Sequence, residues 1–164
     1  MALRLPGELA GLLHALGFAW PESDEDRLLD MGRAWIAFSG RIGQPVGEAA
    51  RHALGVLDGN SGEAFDAFGR TWAGGEGPAP ALRDGATAAT VIGTGLIVCA
   101  GIVLALKLNI IVQLSQLAVQ IFQAVTAAPG TAGASLALIA LYKKRTGVLI
   151  GMLTTLATQA ISNP

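Results

Sequence analysis

Residues 90–116 read TVIGTGLIVCAGIVLALKLNIIVQLSQ. As far as Leu106 this is the composition of a transmembrane helix. One lysine comes next, Lys107, and then a series of uncharged polar residues. The stretch belongs either in a membrane or in the core of a helical bundle, and the fold reading turns on which. From Ala86 to Ala128 there is no proline and a single charge. As one helix, these 43 residues would run about 64 Å, roughly twice the thickness of a bilayer core.

The polar series has a definite geometry. Asn109, Gln113, Gln116, Gln120 and Gln123 are spaced four, three, four and three, so they share one narrow helix face that Thr126 extends. Lys107 lies about 180° from Gln116, off that stripe. The rest of the circumference is Ile, Leu, Val, Ala and Phe. A solvent-facing stripe ordinarily carries Glu and Lys, and this one has neither. Such a face is costly against lipid and useful against other helices or an aqueous lumen. Three readings stay open: a soluble bundle, a membrane-embedded assembly, and a soluble precursor that later inserts.

Pro129-Gly130 makes a turn, and a return helix is expected over 132–161. The charge-free runs are 85–106, 108–142 and 146–164, and the first is long enough to span. Ala89-xxx-Gly93, Gly101-xxx-Ala105 and Gly147-xxx-Gly151 are pairs of small residues one turn apart, which permit close helix contact. The run LYKKRTG at 141–147 places Lys143, Lys144 and Arg145 together. They read as an anchor at a membrane interface near anionic headgroups, or as a solvated helix end.

The first half has a different chemistry. All 12 acidic residues precede Gly85, with seven of the 11 basic ones, so residues 1–84 carry −5 and the remainder +4. A short helix is expected over 8–16, stopped by Gly17, and then the extended link Phe18-Ala19-Trp20-Pro21. Ser23 is expected to cap the next helix, with Asp24, Glu25 and Asp26 in its first turn as a solvated helix start. Leu28, Met31, Trp35, Phe38 and Ile42 form one helical face, continued by Val46, Ala49, Ala53, Val56 and Leu57. Pro45 predicts a kink or short break between the two parts. Asp58 to Gly62 is a turn by composition, and a second helix starts at Glu63 and stops by Gly74-Gly75. Trp35, Phe38, Phe65, Phe68 and Trp72 are the expected core of this hairpin. Residues 74–80 (GGEGPAP) read as a linker, with Asp84 as the expected cap of the long apolar helix. The division is then 1–76 as a helical hairpin module and 77–164 as an apolar helical hairpin, membrane-associated or core-forming.

Composition removes several function classes. Apolar residues make up 52% and aromatics 5%, and the mean hydropathy is +0.52. The net charge of −1, without a basic stripe, argues against nucleic acid. Cys99 is the only cysteine, so no disulfide forms within the chain. His14 and His52 have no partners at metal-ligand spacing, and no nucleophile–base set or phosphate-cradling loop is present. No catalytic, metal or cofactor-binding residue is expected, and the protein reads as non-enzymatic. The amino-terminal sequence lacks the features of a secretory signal, so export would use a route reading a folded or carboxy-terminal signal.

Five segments then carry a resemblance: LPGEL at 5–9, FAWPESDEDRL at 18–28, GRAWIAF at 32–38, NSGEAFDAF at 60–68 and the run LRDGATAATVIGTGLIVCAGIVLALKLNIIVQL. In this order they resemble the WXG-like N-terminal domain of actinobacterial polymorphic toxins. They are similar to the channel-forming N-terminal part of a mycobacterial outer-membrane channel protein with a necrotising toxin. The resemblance covers about residues 5–128. It implies the WXG-type helical-hairpin superfamily, type VII secretion machinery as a partner, and a C-terminal toxin domain that is absent from these 164 residues. Of the inter-helix Trp-x-Gly turn, Gly62 is present and Asn60 stands where the tryptophan would be. Of the aromatic-x-x-x-acid export tag, Trp72 and Glu76 are the nearest match.

The sequence therefore predicts an all-α protein: a WXG-like antiparallel hairpin and then a long apolar hairpin. It is expected to be secreted or associated with the cell envelope, self-associating in or on a membrane and helping to deliver a toxin. The alternative is a soluble scaffold or targeting domain that packs with a helical partner.

Overall fold

Five helices carry the chain through residues 2–162, the part described by the computed structural model. They are α1 (Gly7–Ala15), α2 (Glu25–Asp58), α3 (Glu63–Ala73), α4 (Pro78–Ala127) and α5 (Ala134–Ser162). No strand occurs among the described residues, as the periodicity predicts.

The helix ends differ from expectation in instructive ways. The cap of α2 is Asp24, not Ser23: its Oδ1 accepts from the Arg27 N–H at 3.0 Å, satisfying one free donor of the first turn. Pro45 does not interrupt α2, which is helical throughout. The proline leaves the Arg41 carbonyl without its helical donor, but both residues are exposed and water can supply one. α2 ends where Asn60 Nδ2 donates to the Val56 carbonyl at 2.8 Å. Gly62 then turns the chain at φ +121°, a conformation that a Cβ disfavours. The expected 74–80 linker is shorter than its composition suggests. α4 begins at Pro78, because a first helical turn needs no N–H from Pro78 or Pro80; Asp84 lies inside the helix.

α3 returns beside α2, with the Leu57 methyls 3.5 and 3.6 Å from where a Cβ on Gly69 would sit. α5 returns beside α4, and there the buried Ser135 Oγ donates to the Ala124 carbonyl at 2.6 Å.

The chain divides into two compact units. One holds the residues up to Arg27 and those from Val98 onward; the other is Leu28–Ile97. In the first unit, Leu13 of α1, Ile110 and Leu114 of α4 and Ile150 of α5 form the core, with Leu5, Leu9, Leu12, Leu16, Phe18, Trp20 and Leu106 packed around it. In the second, α2 crosses α4 backbone to backbone. A Cβ added to Gly32 would lie 2.7 Å from the Gly93 carbonyl oxygen, and one on Gly93 would lie 2.8 Å from that of Gly32. Above the crossing, Ser39 Oγ donates to the Ala86 carbonyl at 2.7 Å and lies 2.8 Å from Thr90 Oγ1. The small pair Ala89-xxx-Gly93 thus serves contact with α2 inside this unit.

Candidate functional site

Lys107 is the lone charge of the apolar stretch, and it is the most deeply placed polar group of the first unit, with 2% exposure. Its Nζ donates to Glu25 Oε2 at 2.6 Å and to the Ser23 carbonyl at 2.6 Å. The Trp20 ring lies 5.8 Å from the ammonium, within reach of a cation–π contact. Glu25 is itself only 6% exposed, and its Oε1 accepts from the Leu3 N–H. These five groups close on each other: no buried side-chain polar atom among the described residues lacks a partner. Burial pushes the Glu25 carboxyl up, but the hydrogen bonds from Lys107 and the Leu3 N–H outweigh it. The net effect holds the group below its ordinary 4.5.

This arrangement corrects the reading of the 24–27 run as a wholly solvated helix start. Asp24 and Arg27 do pair near the surface, but Glu25 points inward. The sequence carried a usable signal. A lone lysine in 43 residues without another charge needs a counter-ion if it is buried. The second half has no acid, so the counter-ion had to come from the first half.

The uncharged stripe of α4 lies away from this clasp. Asn109, Gln116 and Gln123 are exposed, and Gln113 and Gln120 are half-buried. Asn109 Nδ2 returns to the Ala105 carbonyl of its own helix at 2.8 Å. The buried face of the same helix segment is Val103, Lys107, Ile110, Leu114 and Leu117. The apolar side chains flanking the stripe are uncovered: Leu108, Val112, Val119 and Phe122 are all exposed, Phe122 to 71%. On α5, Leu141, Val148, Met152 and Leu156 are exposed as well. Lys144 and Arg145 are exposed and Lys143 half-buried, and none pairs with a carboxylate among the described residues. Among the described residues, the stretch Glu63–Ala127, which takes in α3 and α4, has a helical segment apolar enough to cross a membrane by length and composition.

The aromatic residues of the second unit are not the hairpin core that their spacing suggests. Trp35 is 37% and Phe38 44% exposed, and Phe68 is exposed too; Phe65 and Trp72 are half-buried. Trp35 meets Phe38 edge to face at 5.9 Å, and Phe68 stacks on Trp72 at 6.1 Å. Met31, Ala34, Trp35 and Phe38 line an open groove of about 280 Å³. The physical reason is the Gly32–Gly93 crossing: α2 spends its buried face on glycine-to-glycine contact, which leaves the large rings outside. Asn60 and Gly62 lie in the α2–α3 turn, Trp72 in the last turn of α3, and Glu76 exposed in the break before α4.

No cluster of three His, Cys, Asp or Glu that could hold a metal occurs among the described residues. His14 and His52 are exposed, and Cys99 is half-buried. The features that stand out are a buried ion clasp, an uncovered aliphatic surface and an uncharged polar stripe, all suited to contact between helices.

The chain matches the family model described as a WXG100 like domain over residues 4–143. No curated protein and no solved structure matches it.

Proposed function

The chain belongs to the WXG100-like domain family, and we propose that within it this protein is a secreted module that self-associates in or on a membrane and helps to deliver a toxin. The family ties it to type VII secretion, and its members work as homodimers or with helical partners. Trp72 and Glu76 would then form the export tag. The α4–α5 pair would meet lipid through its uncovered aliphatic side chains, with Lys143, Lys144 and Arg145 at the headgroup level. Asn109, Gln113, Gln116, Gln120 and Gln123 would face other copies or an aqueous lumen, where hydrogen bonding is needed and charge is excluded.

One observation carries this reading. The exposed surface of α4 and α5 in the first unit is aliphatic over most of its length and has no acid. A contiguous exposed apolar surface marks a site of contact with another protein or a membrane. Liposome flotation and planar-bilayer recording test it. Wild-type protein should float with vesicles and conduct. Replacing Gln113, Gln116 and Gln120 by Leu should abolish conductance and leave flotation intact; replacing them by Glu should favour cations. A wild-type chain that neither floats nor conducts would remove the membrane reading.

The soluble scaffold remains the second reading, and the open Met31–Trp35–Phe38 groove favours it, since a helix of a partner protein could seat there. In that case the second unit, not the α4–α5 pair, would carry the binding.

A further inference from the structure

The first unit is built in two layers. α4 and α5 pack on one another, and residues 3–24 lie over them as a strap. The strap includes one short helix, α1, and is otherwise extended or turning chain. It is held in two ways. Its leucines, led by the buried Leu13, cover Ile110, Leu114 and Ile150. At its carboxy-terminal end, the Ser23 carbonyl and Glu25 seize Lys107. Glu25 also holds the Leu3 N–H, so one carboxylate ties both ends of the strap to α4.

Beneath the strap is an apolar surface that takes the leucines of α1 and one aromatic ring. The Phe18 ring lies over Gly147 and Gly151, 3.8 and 3.6 Å from where their Cβ atoms would be. These glycines are one turn apart on α5, beside Ile150, and their lack of side chains is what lets the ring descend. The occupant of this surface is already an apolar segment of this same sequence.

We infer that the strap is an intramolecular mask, closed by the Glu25–Lys107 clasp, and that opening the clasp frees the α4–α5 face for the helices of a second copy. This rests on the self-associating reading above and supplies its control step. Lys107 suits such a lock. Paired, it lets the apolar helix be buried without a net charge. Unpaired, it leaves a charge under an apolar strap, which the fold cannot hold closed. A second copy is the fitting occupant because the face, with Lys107 as its buried charge, has no acid and already accepts an apolar segment of this chain together with that segment's own carboxylate, Glu25.

The test uses the full chain in solution, without lipid. Hydrogen exchange is measured at the α1 amides and at the α4–α5 amides in wild type, Glu25→Gln, Lys107→Met and the double variant Glu25→Leu/Lys107→Met. Self-association is tracked by sedimentation on the same samples. Each single substitution should speed α1 exchange by at least about tenfold while α4 and α5 stay protected, and should raise the oligomer fraction. The double variant replaces the ion pair by apolar groups and should return both readings towards wild type. α1 exchange that is unchanged in both single variants would overturn the clasp. A freed α1 with no rise in oligomer would overturn the mask. Failure of the wild-type protein to float or conduct would sink the membrane reading alone, since none of these readouts involves a membrane.

Discussion

The two compact units bury different kinds of residue. In Leu28–Ile97 every buried position is glycine or alanine: Gly32, Ala53, Gly77, Ala89 and Gly93. In the other unit the buried set includes Leu13, Lys107, Ile110, Leu114, Leu117 and Ile150. One helix, α4, serves both. Its first half offers a small-residue edge against which α2 lies at backbone distance, and its second half offers large aliphatic side chains and one cation. Close backbone approach fixes geometry but removes little apolar area from water. Large side chains remove much more, at about 25 cal/mol per Å². The first unit therefore has a core of its own. The second is shaped by contact and leaves its rings outside, as apolar surface open to solvent.

Breaking the clasp should have the largest effect on that contrast. Lys107→Met strands a buried carboxylate and should cost the first unit about 3–5 kcal/mol, read as a shift in the denaturation midpoint; the Glu25→Leu/Lys107→Met pair should recover most of it. An unchanged midpoint in the single variant would mean that the unit does not depend on the pair.

Acid probes the same contact and can remove at most the same amount. Because the Glu25 carboxyl is held below 4.5, its contribution is complete above that value and is lost as pH falls through the lower, folded one. Lys107 faces it from α4 and the Leu3 N–H from the strap, while Asp24 and Asp26 flank it on its own helix. The strap should stay closed at about pH 5 and loosen only in stronger acid. Trp20 fluorescence, in a chain with Trp35 and Trp72 replaced by Phe, would track this; a transition near neutrality would contradict it.

A smaller loss is expected at the helix crossing. Gly93→Ala would force a methyl against the Gly32 carbonyl and the Ile36 side chain and should cost about 1–3 kcal/mol. Exchange in α2 and α3 would report it, with α5 unaffected if the units are as distinct as their cores. The smallest stability effect belongs to Trp35→Ala, below about 1 kcal/mol because the ring is 37% exposed. On the scaffold reading, its consequence should emerge instead as a loss of affinity for a helical partner seated on the groove.

The all-α fold was legible because a three-and-four spacing has one structural meaning, and the Gly62 and Pro129-Gly130 turns interrupt it by composition. Pro45 misled because a proline at an exposed position removes one hydrogen bond that water can replace. Pro78 and Pro80 misled because proline is as much at home in a first helical turn as in a linker. Trp35 and Phe38 share the inner-looking face of α2, but periodicity does not say whether anything covers a face; two glycines took the contact. Glu25 stood in a run of acids that reads as solvent-facing, and only its closeness in space to Lys107, 82 residues away in sequence, gives it another role.

That separation has a temporal side. Closing a loop of this length costs roughly 4 kcal/mol in chain entropy, and the clasp returns nothing until Lys107 has been made. During synthesis the leucine-rich residues 3–16 are made long before the α4 and α5 residues they cover. Through that interval their apolar side chains lack the surface that covers them in the fold, and the strap is fastened only once the apolar second half has arrived.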